Sequence, residues 1–597
     1  MYKMKKHEYF KYLLLCFFFL INYNGYGQLN KFLIGTYLTD FTEKNSTYPP
    51  ILFRDENENR IFYQRMLNYG INTIAGGDII NNDSFIYNYA LKLGMQVITA
   101  NRHLFNMQHS NFKNVIGMNL GDEFSFVEDQ ARWEITRRNQ MRRDINDLIE
   151  LNPHYLRWSN LLPAHADEFG KGESDQIYRE GYLQGYIDTY KPNILSFDDY
   201  PVWYRGQTHT FFRELYDFGY KSTENSIPFF YVLTPFKNGE KTGWNDPEPE
   251  SFPEFRYCIY SSLAYGAKGI DYWPGFEWVY NDGKLIQSQS YKINWSENTT
   301  TLTELIGLHE VLNQNSSLLL SLNFASAYHK SKESYTNLGG EEPIQYFGNW
   351  DGKAGDGSIP PNLPGNGIAN DEYAKFVFGS NAVTPIVTSK TDYFISFMTD
   401  KEHNIYFWVV KKNHHINLDI DYFGLNLNEN NVSAVEKIMT TPKIQYLPNE
   451  IKTENIEIRG GEGVLFKVIK KNATARINID LTNKTYKANL IKSGDFDVAP
   501  FVTADEIKMN GTIFEKETLS SFMAHSIILG NGVQIRNGST VRIKKYTDSN
   551  TTFSEAPALV KYFNSKDQIP ENRNDKLETE LKLYLPNQNK NCIENRT

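Results

Sequence analysis

Val115-Ile116-Gly117-Met118-Asn119-Leu120-Gly121-Asp122-Glu123 runs an apolar segment into two adjacent acids. Residues Val115–Leu120 have the make-up of a short buried parallel strand, and the glycine and acids behind them mark its end. Period-two alternation puts Asn119, Gly121 and Glu123 on one face and turns Asp122 to the other. Seven more segments of this kind flank it: Phe32–Leu38, Ile71–Gly76, Gln96–Ala100, Tyr155–Leu161, Ile194–Phe197, Phe229–Leu233 and Gly269–Trp273. Helical periodicity fills most of the intervals, most clearly at Arg60–Tyr69, Asp83–Leu93, Glu128–Leu151, Asp175–Tyr190, Thr208–Gly219 and Pro253–Tyr265. A last helix, Thr301–Asn313, follows strand eight. Eight strand–helix units match a (β/α)8 TIM barrel, which typically needs about 250 residues. The rival is an open doubly wound sheet. Its nucleotide-binding form has no support, because no strand runs into Gly-x-Gly-x-x-Gly.

Catalytic groups of such barrels stand at the C-terminal ends of the strands. Strand three ends Asn101-Arg102-His103, strand four Asn119–Glu123, and strand five gives Trp158-Ser159-Asn160. Strand six ends Phe197-Asp198-Asp199-Tyr200-Pro201, strand seven Thr234-Pro235-Phe236, and strand eight Asp271-Tyr272-Trp273. Carboxylates with aromatics, and neither a His cluster nor a Cys, form an inventory for sugar chemistry. One carboxyl protonates the leaving oxygen of a glycosidic bond while a second attacks the anomeric carbon or activates water. Glu123 is the expected general acid/base. Asn119, Asp122, Arg102, Trp158, Asn160, Tyr200, Asp271 and Trp273 are candidate substrate contacts. Trp244, in the long segment Phe236–Phe252 after strand seven, is a candidate cleft wall. For Trp158 and Trp273 a plain core role stands beside the sugar-binding one. Arg102, Arg256 and Lys268 are candidates for an anionic sugar, with a salt bridge to a barrel acid the preferred alternative. No metal site and no cofactor is expected: there is no His-x-His, and no Glu-x-x-His on a helix.

The chain has 597 residues, 62 Lys+Arg against 71 Asp+Glu, and a net charge of −9. That balance argues against a nucleic-acid partner. The length implies several domains. Residues 1–27 read as a signal peptide: Lys3, Lys5, Lys6 and Lys11, the apolar run Leu13–Ile21, then Gly25-Tyr26-Gly27. Nine apolar residues fall short of the roughly 20 that span a bilayer, so no membrane span is expected. The flanks of Cys16 lack the small residues of a lipoprotein signal. Residues 28–330 form the barrel, 331–379 a Gly/Pro-rich connector, 380–470 an antiparallel β-sandwich, 471–546 a small β-rich module, and 547–597 a linker and tail. Aromatic residues make up 15 % of the chain, which suits a carbohydrate partner as well as a large core.

Asn119–Glu123 resembles the strand-four acid/base signature of secreted bacterial barrel glycoside hydrolases related to the β-galactosidase-type clan. Ser196–Pro201 is similar to a strand-six motif of such groups, and so is Glu254–Tyr257 running into Leu263–Trp273. The strand Gly463–Val468 resembles the close of their post-barrel sandwich. The resemblance, over residues 31–470, implies a glycosidase barrel with Glu123 as acid/base. That clan carries its nucleophile Glu at the end of strand seven, and here the strand runs into Thr234-Pro235-Phe236. Asp198 is the preferred second carboxylate and Glu254 the next. Glu254 has the alternative of stabilising a helix N-terminus. The missing acid also leaves a second class open, a carbohydrate-binding protein without catalysis on the same scaffold.

Overall fold

The computed structural model describes residues 29, 31–38, 56–76, 90–99, 114–122, 132–151, 155–163, 176–201, 211–234, 236–239, 243–249, 252–273, 278–281, 284–287, 300–330, 368, 371–382, 384–387, 392–412, 420–440, 442–453, 455–483, 485–486, 501–514, 519–530, 533–535 and 540–545. The expected signal peptide and tail, and the site candidates Arg102 and Glu123, lie outside them.

The chain begins with β1 (Leu33–Leu38), α1 (Glu56–Asn68), β2 (Thr73–Gly76), β3 (Gln96–Thr99) and β4 (Val115–Asp122). It continues through α2 (Arg132–Leu151), β5 (Leu156–Leu161), a π-helical run (Gln176–Leu183) leading into α3 (Gln184–Tyr190), and β6 (Leu195–Asp198). Then come α4 (Phe211–Asn225), β7 (Phe229–Leu233), β8 (Phe236–Gly239), β9 (Gly243–Pro249), α5 (Phe252–Ala264) and β10 (Gly269–Tyr272). The strands β11 (Trp278–Asn281) and β12 (Lys284–Gln287) precede α6 (Thr300–Gln314) and α7 (Ser316–Ser321). β1 to β7 and β10 are the eight strands expected from the sequence. All pair in parallel, and β1 closes the ring by pairing with both β2 and β10. The segment after strand seven is an antiparallel hairpin, β8 with β9, and a second hairpin, β11 with β12, follows strand eight.

Strand alternation sorts the core into two layers. Leu33, Tyr37, Ala75, Ile98, Leu156, Trp158, Ile194, Phe230 and Val232 meet inside the ring. Their neighbours Ile34, Ile74, Val97, Leu161, Leu195, Phe197, Tyr231, Ile270 and Tyr272 pack outward with the helices. One outward contact couples three elements. His309 of α6 is fully buried; its Nδ1 donates to the Tyr69 carbonyl (2.6 Å), so in the neutral ring Nε2 is the acceptor for Tyr272 Oη (2.7 Å). Burial lowers the His309 pKa from 6.5 to about 4, opposed by the Tyr69 contact. The unfolded chain therefore takes up this proton as pH falls through 6.5, while the folded chain refuses it until about 4. Stability from this group is present above pH 6.5 and declines over that window by about 3 kcal/mol. Denaturant midpoints at pH 7 and pH 4.5 will differ less for His309→Gln than for the wild type. Equal shifts for the two proteins would remove His309 as a source of acid sensitivity.

An antiparallel sandwich follows the barrel. Its strands are β13 (Asn323–His329), β14 (Ile386–Val387), β15 (Tyr393–Thr399), β16 (Ile405–Lys411), β17 (Ile420–Leu425), β18 (Val432–Ile438), β19 (Ile444–Tyr446), β20 (Ile456–Arg459) and β21 (Gly463–Lys470). One sheet runs β13-β15-β16-β21-β18-β19 and the other β14-β17-β20. β13 therefore belongs to the sandwich, although it lies in the stretch read as barrel. The end of the Gly/Pro-rich stretch holds a helix, α8 (Glu372–Phe378). Asp371 caps it, accepting from Ala374 N (2.9 Å), Ser326 Oγ (2.6 Å) and Tyr328 Oη (2.8 Å).

The sandwich sits directly on α4 and α5. Thr223 Oγ1 donates to the Phe324 carbonyl (3.2 Å), Ser396 Oγ to the Ala264 carbonyl, and Tyr265 Oη meets His329 Nε2 (2.9 Å). Gly461 has φ +68° and faces the Pro253 carbonyl so closely that any β-carbon would collide with it. α4 is consequently buried along nearly its whole length, and its Lys221 ammonium is met by Glu224 (2.8 Å) and Gln184 (3.0 Å).

The last strands are β22 (Asn478–Asp480), β23 (Thr485–Tyr486), β24 (Phe501–Met509), β25 (Ile513–Phe514), β26 (Leu519–Leu529), β27 (Gln534–Ile535) and β28 (Thr540–Lys545). They pair in parallel as β22-β24-β26-β28 and β23-β25-β27. Asn478 stacks on Glu506, Glu506 on Ser526 and Ser521 on Arg542, so the first coil is longer and the next two advance the chain by about 20 residues each, as in a β-solenoid. Ala504, Ile507, Met509, Phe522, Ala524 and Val541 point inward and share one core with the sandwich.

Candidate active site at the barrel mouth

Inward positions near the strand ends carry the polar groups. Asn119 of β4 is level with Trp158 of β5; Asn160 of β5 is level with Ser196 of β6. Asp198 of β6 and Asp271 of β10 are both level with Val232 of β7, so the two acids flank one strand. Ser196 Oγ donates to Asn160 Oδ1 (3.3 Å), which leaves the Asn160 amide N–H to donate to Asp198 Oδ1 (2.8 Å). This chain holds one carboxylate oxygen of Asp198 in a set direction. The next residue, Asp199, is 1 % exposed, and its carbonyl accepts from Tyr231 Oη (2.5 Å).

Two residues beyond each acid stands an aromatic. Tyr200 and Trp273 lie nearly parallel, 14° apart in plane with centroids 5.9 Å apart. Trp158 is 1 % exposed and tilts against Tyr37 at 5.6 Å. It is interior packing and not an open stacking face, and its indole N–H has no acceptor. Tyr37, at the end of β1, is the wall residue that sequence reasoning left unassigned; its place at a strand end was the available signal.

Asp271 is 2 % exposed. Its carboxyl occupies the space that Gly35 leaves on β1; a methyl group there would collide with it. Neither oxygen makes a hydrogen bond of good geometry. Burial holds the carboxyl well above the usual range, opposed by the nearby Tyr272 backbone N–H.

Strand four departs from regular alternation. Asn119 is level with Trp158, but Asp122, not Gly121, is level with Asn160. Gly121, at φ +140°, takes the bulge, and its N–H donates to Asn119 Oδ1 (2.9 Å). The alternation that put Glu123 on the face of Asn119 therefore stops at Gly121, and Asp122 takes the register position opposite Asn160.

Two candidate cations lie elsewhere. Lys268 stands before β10, at the opposite end of that strand, where its ammonium donates to the Leu319 (2.8 Å) and Leu322 carbonyls at the end of α7. Burial lowers its pKa to about 7. Arg256, on α5, lies over the Phe252 ring (4.9 Å); burial lowers its pKa while Glu462 and Glu304 favour its charge. Lys268 thus serves helix carbonyls at the far end of its strand, and Arg256 packs on the Phe252 ring of its own helix. Glu254 is 6 % exposed in the first turn of α5, where a negative charge complements the helix dipole. Trp244 lies in β9. Among the described residues no group of three His, Cys, Asp or Glu side chains is gathered as a metal site, and no helix is long and apolar enough to cross a membrane.

No family model and no curated protein matches the chain. Among solved structures, a β-glucuronidase from Faecalibacterium prausnitzii is similar at 15 % identity and TM-score 0.30, over 48 % of this chain and 49 % of that one. An endo-β-1,4-mannanase from Thermotoga petrophila matches at 8 % identity and TM-score 0.31, over 64 % of this chain and 95 % of that one. An α-amylase from Geobacillus thermoleovorans matches at 8 % identity and TM-score 0.31, over 74 % of this chain and 99 % of that one. The chain itself is a parallel (β/α)8 barrel followed by all-β domains.

Proposed function

We propose that this chain is an exported glycoside hydrolase that cleaves glycosidic bonds of a poly- or oligosaccharide with paired carboxylates. The observation that carries the reading is the oriented Asp198–Asn160 pair on the inward wall of the barrel mouth. Glu123, one residue beyond β4, serves as the proton donor and later the base. Asp198 attacks the anomeric carbon or activates the water that does. Asn119, Asn160, Tyr200 and Trp273 line the subsite. The Lys-rich start and the apolar run Leu13–Ile21 support export.

Incubating the full mature chain with a panel of plant, algal and bacterial glycans tests the reading. Release of new reducing ends from at least one of them is the expected result. The binding-only reading is favoured by the absence of an acid after strand seven, where β7 ends at Leu233 and Thr234 follows. Heat on calorimetric titration with a glycan that is never cleaved would establish that reading in place of the enzyme.

A further inference from the structure

Asp271 is a buried acid that the reaction does not use. A carboxyl taken out of water without a partner destabilises the fold, so native structures rarely keep one. An apolar side chain of similar size would serve the barrel interior better. We propose that Asp271 is a specificity-determining residue of the mouth, hydrogen-bonding one hydroxyl of an uncharged sugar ring bound between Asp198 and the β1 wall. The inference rests on the glycosidase reading above.

Three features of the molecule carry it. Asp271 faces inward on a barrel strand, level with Asp198, and the two are separated only by β7. Adjacent strands lie about 4.8 Å apart, and side chains inside a closed ring converge. A sugar held by Asp198 at its anomeric carbon therefore extends its ring hydroxyls toward Asp271. Gly35 gives the carboxyl its seat: no β1 side chain stands against it, and neither oxygen makes a hydrogen bond of good geometry. The stacked Tyr200–Trp273 pair stands two residues beyond both acids, and offers the same subsite aromatic surface. Burial also raises the carboxyl's pKa, which favours the protonated form, able both to donate to and to accept from a hydroxyl. An uncharged sugar suits it, because no cation of the described mouth faces the carboxyl. Arg256 and Lys268 are engaged at α5 and α7.

The test uses the neutral oligosaccharide that the wild type cleaves fastest, together with its monodeoxy analogues. Asp271→Ala is expected to raise KM about tenfold with a much smaller change in kcat, as suits one lost hydrogen bond. Asp271→Asn, which keeps a donor and an acceptor, recovers most of that loss. The wild type will discriminate about tenfold against one deoxy position, and Asp271→Ala will not discriminate there. A variant that merely loosens the barrel would lower activity on every analogue alike, and that result overturns the proposal. So does Asp271→Asn proving as damaging as Asp271→Ala. A wild type that cleaves nothing fails the glycosidase reading and this inference together. A cleaving wild type with unaltered discrimination in Asp271→Ala fails this inference alone.

Discussion

Replacing Glu123 by Gln will lower kcat by about 10²- to 10⁴-fold, the range that a positioned proton donor contributes. Gln keeps the shape and the hydrogen-bonding reach of Glu but has no proton of suitable acidity to give. The loss will depend on the leaving group. A substrate that releases an acidic phenol needs little protonation, so its cleavage will fall much less than that of the natural glycan. Asp122 is the necessary control, because the bulge at Gly121 brings Asp122 to the register position opposite Asn160. If Glu123 is the donor, Asp122→Asn will alter KM more than kcat. If instead Asp122→Asn removes turnover and Glu123→Gln keeps it, the donor is Asp122, and the resemblance of residues 119–123 has assigned the role one residue too far.

The ring was legible because its strands are short apolar segments bounded by Gly, Asn or Asp, repeated eight times with helices between. The same logic failed locally at Gly121. Alternation is a property of regular strands, and a single glycine at φ +140° shifts the frame by one residue. β13 was read as part of the barrel region because Asn323–His329 follows the last barrel helices without a break. Its sheet is set by pairing with β15, about 70 positions on, and a partner at that distance leaves no local mark. The parallel coils after residue 477 were visible as strands with turns, but the direction of pairing depends on stacking between coils. Charged residues misled for a different reason. Lys268 precedes an acid-bearing strand in sequence, yet a barrel strand separates its two ends, and the ammonium serves helix carbonyls on the far side from the mouth. Asp198 and Asn160 are both legible as strand-end residues. What folding adds is their hydrogen bond, since residues at equivalent inward positions of neighbouring strands are brought side by side by register alone.

Asp198→Asn will lower turnover of the natural glycan by about 10³-fold or more while leaving the thermal midpoint nearly unchanged. The stability half follows from the polar chain. Ser196 Oγ donates to Asn160 Oδ1, so the Asn160 amide N–H must be the group that faces residue 198. An Asn at 198 presents its own carbonyl oxygen to that N–H and keeps the bond, and its side chain is nearly isosteric with Asp. The kinetic half follows from charge. A carboxylate held in one direction can attack, or can strip a proton from water, and can stabilise the positive charge that develops on the sugar ring. An amide does none of these. Asn160→Ala separates the two effects, since it leaves the carboxylate but removes its fixed donor. It will lower kcat less than Asp198→Asn does and will lower the thermal midpoint more, because Ser196 Oγ and an Asp198 oxygen both lose a buried partner. Should Asp198→Asn retain turnover near the wild type, the second carboxylate is another residue. Glu254 in the first turn of α5 is then the next to replace, by Gln, with the same pair of measurements.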